Sequence, residues 1–447
     1  MRLFLTFEPA LRRNLIIFFG ASLCFWGGLS GILPNLTLYI KSFGASNQEV
    51  GWVMASFAVG LLVFRPKMSR FTDQQGRKPA LLLGVSVIAL APMLYLAVGR
   101  VPPATLSLPI LLPMGGWSVS SSVLLLALVR AFHGLSIAAF ATAYSAAVAD
   151  MAPPQHRGEL ISFMSLAGPT GMAMGPALGG YLSESFTLAF LTMTGMGTVG
   201  VLCVLMSKEP AKPVVDSPVG FHIDSGQSLE SVAKPPAKAP FFWSQLFAPA
   251  IRIPALMLLM VGTAFGSMVT FMPLYVEKMG WDINIGLVFT SSAIASFCIR
   301  TFTGTASDRL GRGRFISLGL MFYTLSMGVM WLSSSPQMLL LAGILQGAGS
   351  GTTIPIIAAL MTDRSRPGDR GLTFGLCLTG FDLGIALAGP VMGRVADISG
   401  SSSLIFALAG SMTLLGLMIF ITHSSKDLSH SIRFALNGGR DVYAIEP

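Results

Sequence analysis

The segment "FRPKMSRFTDQQGRK" at residues 64–78 lies between two apolar stretches, and "CIRTFTGTASDRLGRGR" at residues 298–314 repeats its pattern. Four residues of the first segment recur in the second, each 235 positions later. The matched pairs are Arg65 with Arg300, Asp73 with Asp308, Gly76 with Gly311, and Arg77 with Arg312. A charged turn that occurs twice at one fixed separation predicts two equivalent halves within a single chain.

The composition predicts a helical membrane protein. Of the 447 residues, 53% are hydrophobic and 11% are charged, whereas a soluble domain carries about 25% charged residues. Apolar runs at 81–99 and 403–422 each reach the roughly 20 residues that a helix needs to cross a bilayer. They are continuous, unlike the alternating strands of an outer-membrane barrel. The apolar stretch beginning at Leu15 is too long for the core of a signal peptide and is predicted to be a retained first span.

Polar breaks between the apolar runs predict twelve helices in two groups of six. The first group lies near 14–40, 48–69, 79–99, 121–148, 160–182 and 186–206. The second lies near 253–276, 284–305, 315–333, 337–361, 371–394 and 402–422. The predicted domains are an N-terminal half (1–207), a linker (208–247), a C-terminal half (248–425) and a tail (426–447). The stretch 100–120 is broken by four prolines and is predicted to be an ordered or membrane-hugging loop.

The basic residues predict the orientation of the chain. With both termini and the alternate loops in the cytoplasm, all but five of the 29 Lys and Arg residues lie on that side, as the positive-inside rule requires. The formal net charge of +9 is therefore explained by topology, and nucleic-acid binding is not predicted. Linker and tail are both expected to be cytoplasmic, and the absence of a targeting segment fits a bacterial inner membrane.

A second repeat extends the first. The segment "DMAPPQHRGE" at 150–159 matches "DRSRPGDRGL" at 363–372 with a separation of 213. The two separations, 235 and 213, differ by about the length of the stretch 100–120. This stretch is therefore interpreted as an insertion in the N-terminal half, between the third and fourth helices. Internal repeats in a helical membrane protein indicate a transporter whose substrate site lies near the bilayer midplane, between halves related by a pseudo-two-fold axis.

Three motifs resemble those of the major facilitator superfamily. They are the charged turn "GLLVFRPKMSRFTDQQGRK", the fourth-helix segment "LVRAFHGLSIA" (128–138) and the fifth-helix segment "GMAMGPALGG" (171–180). The last is similar to a motif of the twelve-span drug and metabolite antiporter branch. The first turn has Gln74 where the family commonly has Arg, while the second turn keeps "DRLGR". The resemblance implies an all-α fold of twelve transmembrane helices in two pseudo-symmetric halves.

The charged turns are candidate cytoplasmic gates. Glycine permits a tight turn, and an Asp there can cap a helix or pair with a nearby Arg. Such contacts are expected to latch the halves together in one conformation and to break in the other. Alternatively, the charges only set the topology. The candidate gate residues are Arg65, Asp73, Gly76, Arg77, Lys78, Arg300, Asp308, Arg309, Gly311 and Arg312.

Ionisable residues inside a bilayer are costly and therefore mark candidate functional sites. Asp382 lies in the middle of the eleventh predicted span, and Arg130 and His133 lie in the fourth. Asp382 is either a proton carrier or a structural carboxylate. Arg130 is either a counter-charge to Asp382 or to an anionic substrate, or a buried cation held by backbone carbonyls. A guanidinium does not release its proton, so Arg130 would tune a proton site without being one, as the resemblance also implies.

Other polar and small residues fall in the predicted spans. The fifth-helix motif residues Gly171, Gly175, Pro176, Gly179 and Gly180 favour close helix packing, and the resemblance implies that they prevent leakage in an antiporter. By analogy with the family's fold, the substrate-cavity candidates are Trp26, Asn35, Tyr39, Thr270, Tyr275, Gln346 and Thr353. Most single aromatics in such spans serve packing.

The function predicted is proton-coupled export of a small amphipathic or apolar compound by a protein that works as a monomer. The alternatives are a sugar or organic-acid symporter, a passive facilitator, and a non-transporting membrane protein on the same fold. No nucleophile–base set or nucleotide-binding loop occurs, so neither an enzyme nor ATP drive is predicted. The four cysteines are scattered, and no metal or other cofactor is expected.

Overall fold

The computed structural model of the chain is a bundle of long helices. It describes residues 7–102, 104–108, 117–153, 157–208, 246–366 and 370–445. The N-terminal half contains α1a (Pro9–Gly31), α1b (Leu33–Lys41), α2 (Asn47–Gln75), α3 (Arg77–Val98), α4 (Ser121–Met151), α5a (Arg157–Met164), α5b (Ala167–Tyr181) and α6 (Phe186–Met206). The C-terminal half contains α7 (Pro249–Met279), α8 (Ile285–Leu310), α9 (Arg312–Trp331), α10 (Pro336–Asp363), α11 (Arg370–Ser399), α12 (Ser403–His423) and α13 (Leu428–Asn437).

The predicted fold class is confirmed. In the described ranges, eleven helical segments are long and apolar enough to cross a membrane, with α1a and α1b forming one of them. The fifth predicted span is divided into α5a and α5b, of 8 and 15 residues. Pro169 is the third residue of α5b, and a proline fits the first turn of a helix because the missing N–H has no partner there. The predicted linker falls largely outside the described residues.

Each charged turn contains a single residue between two helices. Gly76 connects α2 to α3 with a φ of 100°, and Gly311 connects α8 to α9 with a φ of 98°. Side chains with a Cβ rarely adopt a positive φ, so glycine allows both helix pairs to reverse direction at once. We call this end of the bundle the charged-turn end.

A β-hairpin lies at the opposite end, between α3 and α4. Strand β1 (Thr105–Leu108) pairs antiparallel with β2 (Trp117–Ser120), and Thr105 lies opposite Ser120. The Ser121 amide donates to the Ala104 carbonyl at 2.8 Å, which joins the hairpin to the start of α4. The 100–120 insertion is therefore an ordered loop in its described part. We call this end of the bundle the hairpin end.

Two pairs of helices form most of the described contact between the halves. Helix α2 packs on α11, and α5b packs on α8. The charged-turn repeat relates α2 to α8, and the second repeat relates α5 to α11. The two contacts are thus equivalent under the predicted pseudo-two-fold axis.

The predicted cytoplasmic tail includes a helix that packs on the C-terminal half. Helix α13 lies against α9 and α12, and Phe434 is buried there. Arg314 Nε and Ser317 Oγ donate to the Leu436 and Ala435 carbonyls at 2.9 and 3.0 Å. The tail therefore covers the second charged turn, and a Cβ on Gly311 would lie 2.6 Å from the Cα of Gly438.

Replacing Gly311 by alanine is expected to destabilise the protein more than the same change at Gly44. Both glycines have a positive φ, which costs an alanine about 1–2 kcal/mol. A Cβ on Gly44 would meet nothing within 4 Å, whereas one on Gly311 would press on the tail. Thermal melts of the purified variants should therefore rank wild type above Gly44→Ala and Gly44→Ala above Gly311→Ala. Equal melting of the two variants would contradict the tail contact.

Candidate functional site

An ion pair joins the two halves inside the bundle. Arg65 of α2 places Nη1 at 2.7 Å from Oδ2 of Asp382 in α11. The Asp382 side chain is 6% exposed and that of Arg65 is 30% exposed. Arg65 lies ten residues before the end of α2, which corresponds to about 15 Å along the helix. A carboxylate buried at this depth is paired with a cation, as the cost of isolated charge in a membrane requires.

Arg130 does not pair with Asp382 in this structure, where Arg65 has that place. Direct pairing with Asp382 was one of the alternatives for Arg130, and a charge effect on an anionic substrate stays a prediction. Arg130 is buried within the N-terminal half, where Nη1 lies 3.3 Å from Nδ1 of His133 and the guanidinium lies 4.4 Å from the ring centre of Phe57. The Tyr95 hydroxyl also lies 3.3 Å from His133 Nδ1. A guanidinium only donates hydrogen bonds, so Nδ1 accepts and the ring proton is on Nε2.

Two buried nitrogens of this cluster lack a hydrogen-bond partner in the described part of the chain. They are Nε of Arg130 and Nε2 of His133. Unpaired polar groups are unusual in a protein interior, and here one of them belongs to a cation. The N-terminal half therefore carries a buried positive charge that no described carboxylate neutralises.

The C-terminal half has a neutral polar pair at the equivalent place. Gln346 of α10 accepts a hydrogen bond from Ser292 of α8 and is 2% exposed. By the two repeat separations, Gln346 corresponds to His133 and Ser292 corresponds to Phe57. The pseudo-symmetric positions thus hold a cationic cluster in one half and an uncharged pair in the other.

Three of the cavity candidates have structural partners. Asn35 donates through Nδ2 to the Gly179 carbonyl at 2.7 Å. The hydroxyls of Tyr39 and Tyr275 donate to the carbonyls of Tyr95 and Ser333 at 3.0 and 3.1 Å. These two bonds lie near the ends of α3 and α9, at roughly equivalent places in the two halves. The two hydroxyls and the Asn35 Nδ2 are thus bound to backbone carbonyls, whereas the buried Asn35 Oδ1 has no hydrogen-bond partner in the described ranges.

The remaining cavity candidates lie apart from one another. Trp26 packs against Phe25 in an edge-on contact and faces Gly168. Thr270 of α7 is 3% exposed, and Thr353 of α10 is fully buried beside Gly319. The described contacts do not bring the seven candidates together around one cavity.

Most described contacts of the charged turns remain within one half. Arg77 pairs with Asp150 at 3.1 Å, and its repeat equivalent Arg312 pairs with Asp363. Lys78 Nζ donates to the carbonyls of Leu205 and Ser207 at 2.9 and 2.6 Å. These bonds fasten each turn to helices of its own half, so they are not the predicted latch between the halves.

The other gate candidates differ in their surroundings. Arg312 also lies 3.4 Å from Asp308, and Arg309 is exposed. The side chain of Asp73 lies outside the described part of the structure. Arg65 is the gate candidate whose described ion pair crosses between the halves. Arg300 lines a cavity between α8 and α10. The sequence contained one sign of the role of Arg65, namely its position well inside an apolar helix.

The fifth-helix motif closes the hairpin end against two neighbours. Gly171, Gly175 and Gly179 face α1, where a Cβ on any of them would overlap backbone carbonyls. Gly180 and Pro176 face Asn284 and Gly286 at the start of α8 in the other half, where a Cβ on Gly180 or Gly286 would overlap the partner helix. Nearby, Thr290 donates to the Ala173 carbonyl at 2.8 Å. The motif therefore allows close packing on both sides, as predicted for small residues.

Helices α2 and α11 close the same end of the bundle. A Cβ on Gly51 would overlap the Gly389 carbonyl. The Asp397 carboxylate accepts hydrogen bonds from the amides of Asn47 and Gln48 at 3.2 and 2.9 Å. Sequence reasoning missed this carboxylate, which caps the first turn of a helix in the other half. Both contacts between the halves are thus tight at the hairpin end.

Replacing Gly51 by valine is expected to open the hairpin end. The added atoms cannot fit against Gly389, so the equilibrium should shift to conformations in which α2 and α11 separate. We expect labelling of Gln48→Cys by a membrane-impermeant maleimide, in a cysteine-free background, to accelerate about tenfold, equivalent to about 1.4 kcal/mol. Gly195→Val is the matched control because a Cβ there meets nothing within 4 Å. Equal labelling of both variants would contradict the closed contact.

Comparison with known proteins places this architecture in a family. The model of the Major Facilitator Superfamily matches residues 18–296 and 282–436. The chain belongs to the major facilitator superfamily. Among solved structures, a D-xylose–proton symporter has a TM-score of 0.68 at 13% identity, over 93% of this chain and 99% of that one. At this identity the likeness shows the shared fold alone, and the family is one of transporters, not enzymes.

Two relatives carry names that refer to drug resistance, and one of the two names an efflux pump. The "Multi-drug resistance efflux pump PmrA" of Streptococcus pneumoniae is 22% identical over 376 residues, covering 82% of this chain and 84% of that protein. The "Multidrug resistance protein MdtG" of Serratia proteamaculans is 23% identical over 419 residues, covering 90% of this chain and 92% of that protein. The similarity to both relatives extends through the two halves of this chain.

Proposed function

We propose that this chain exports a small amphipathic compound in exchange for protons by alternating access. The observation that carries the proposal is the Arg65–Asp382 ion pair, which joins α2 and α11 across the two halves. A charged pair between the moving parts of a transporter links the ionisation of one group to the conformation of the whole molecule. The name of PmrA, an efflux pump, supports export over import.

Protonation of Asp382 is the step that we assign to coupling. The carboxylate attracts Arg65 while it is ionised, and this attraction is strong because the site is largely shielded from water. A proton on the carboxyl group removes the charge and with it most of the attraction. Helices α2 and α11 are then free to move apart at this level. A shift of population follows because the two conformations bind the proton with different affinities.

Arg130 acts on this process through its charge. It cannot release a proton, and the buried cluster with His133 and Phe57 holds it in place. A fixed positive charge in the N-terminal half raises the cost of placing a second cation in the bundle. The net charge near Arg130 becomes more positive when Asp382 is neutralised, so the same proton also changes this cost. His133 accepts through Nδ1 in this conformation, and we therefore assign proton transfer to Asp382.

The membrane placement follows from the same proposal. We place the charged-turn end and both termini in the cytoplasm, since most basic residues lie there. The bacterial relatives support the inner membrane as the location. A single chain contains both halves and the inter-half ion pair, so the proposed working unit is a monomer.

Proton movement in proteoliposomes tests the function. The vesicles should hold a pH gradient and contain a dye that reports internal pH, and a panel of neutral, anionic and cationic amphipathic compounds should be added in turn. We expect at least one compound to collapse the gradient in vesicles that contain the protein and in no protein-free vesicles. Saturable transport of a compound that leaves the gradient unchanged would instead establish a passive facilitator. Movement of proton and compound in the same direction would establish a symporter.

A further inference from the structure

The pseudo-symmetry of the two halves is broken at Arg300. Arg65 corresponds to Arg300 by the separation of 235, and Asp382 corresponds to Pro169 by the separation of 213. The chain therefore has a proline where the equivalent ion pair would need a carboxylate. Arg300 makes no hydrogen bond or ion pair with any residue in the described ranges. One of the two equivalent arginines is thus left without a counter-charge.

Arg300 lies deep within its helix. It precedes Leu310, the last residue of α8, by ten positions, which corresponds to about 15 Å. A cation at such depth faces a water-filled cavity or a partner of opposite charge in most membrane proteins. The depth matches that of Arg65 in α2, so the equivalent level of the bundle holds a neutralised arginine on one side and a free arginine on the other.

A cavity of about 370 Å³ lies beside Arg300, between α8 and α10. Its polar lining includes the hydroxyl-bearing residues Thr303 and Ser307. Arg312 and Asp308 also line it. These two residues pair with each other at 3.4 Å, and Arg312 pairs with Asp363 as well, so the Asp308 carboxylate is neutralised by Arg312 and Arg300 keeps its free charge. The opposite wall is apolar and consists of Pro355, Ile356 and Ala359. The cavity therefore offers one unneutralised positive charge, two hydroxyls and an apolar surface.

We propose that this cavity binds the anionic group of an amphipathic molecule, with Arg300 as the counter-ion and the α10 wall against the apolar part. This inference deepens the proposed function, on which its assignment to an exported compound rests. The buried, unneutralised Arg130 cluster in the other half favours the same charge class. An oxyacid group fits Arg300 because a guanidinium presents parallel donors to two oxygens. Two sources share this chemistry, namely a transported carboxylate and the phosphate of a membrane lipid.

Binding to purified protein in nonionic detergent tests the site without requiring transport. The probes are octanoate, neutral octanol of the same chain length, and phosphatidylglycerol, and binding is measured by calorimetry and by the shift in melting temperature. The variants are Arg300→Gln and Arg300→Lys. Arg366→Gln is the matched control because it removes an exposed arginine outside the cavity at the same end of the bundle. Melting of the probe-free variants shows whether each is folded.

We expect octanoate to bind wild type and Arg366→Gln equally, and Arg300→Gln about tenfold more weakly, with binding partly restored in Arg300→Lys. Octanol binding should be the same in all four proteins. Arg300-dependent stabilisation by phosphatidylglycerol without octanoate binding would support the site and identify a lipid as its source. Equal octanoate and lipid binding by wild type and folded Arg300→Gln, or no binding of either probe to wild type, would overturn the proposal. Arg300-dependent binding without proton exchange in vesicles would retain the site and reject the proposed export function.

Discussion

Replacing Asp382 by asparagine is expected to abolish transport that is driven by a pH gradient. Asparagine has the same shape but can neither carry the proton nor pair with Arg65, so coupling should fall to the level of protein-free vesicles. Exchange of labelled for unlabelled compound, which needs no gradient, should continue in the variant. The measurement is compound uptake into proteoliposomes, with and without an imposed gradient.

Three further variants show whether the ion pair itself matters. Asp282→Asn removes an exposed carboxylate and should behave as wild type. Arg65→Gln leaves a buried carboxylate without its counter-charge, which typically costs about 3–5 kcal/mol, and should impair gradient-driven transport strongly. Arg65→Lys retains the positive charge and should therefore keep part of the gradient-driven transport. If Asp382→Asn transports with the gradient as wild type does, Asp382 is structural and the coupling assignment is wrong.

Removing the Asp441 carboxylate is expected to cause a large loss of stability. Arg364 is almost fully buried, and Asp441 accepts two hydrogen bonds from its Nε and Nη2 at 2.7 and 2.9 Å. Arg364 Nη1 also donates to the Ala250 carbonyl near the start of α7 at 2.7 Å. Asp441→Ala leaves this guanidinium without a counter-charge, at an expected cost of about 3–5 kcal/mol in the free energy of unfolding.

A paired substitution separates the charge from the packing. Arg364→Met combined with Asp441→Leu replaces both charged groups by apolar ones, and such changes are often nearly neutral. Thermal melts in detergent should therefore show a large decrease for Asp441→Ala and a much smaller one for the double variant. Glu184→Ala, which removes an exposed carboxylate, should melt as wild type. A melting temperature of Asp441→Ala equal to that of wild type would show that the tail does not stabilise the C-terminal half.

Local patterns made much of the architecture predictable. The repeated turn identified helix ends because a glycine with positive φ and a cluster of charges occur where one helix stops and the next begins. The separation of 235 related Gly76 to Gly311, and the structure gives the two residues nearly the same φ. Asp382 was found for an equally local reason, since a carboxylate inside an apolar run is rare.

The partner of Asp382 was not predictable in the same way. The register of α2 against α11 decides which arginine reaches the carboxylate, and this register depends on the close approach of Gly51 to Gly389. No pattern within either half specifies that contact. Tyr39 and Tyr275 illustrate the same limit, because their hydroxyls bind carbonyls at the ends of distant helices. Choosing cavity residues by the number of the helix in which they lie could not reveal these hydrogen bonds to distant carbonyls.

The response of the two halves to pH shows whether protonation of Asp382 moves them. Spin labels on Gln74→Cys in α2 and Arg366→Cys after α10, in a cysteine-free background, report the distance between the halves at the charged-turn end. We predict that the distance distribution of wild type changes between pH 8 and pH 5, and that Asp382→Asn shows the low-pH distribution at both values. A pH-dependent change of the same size in Asp382→Asn would show that the proton that moves the halves binds elsewhere, and Asp382 would then not be the coupling residue.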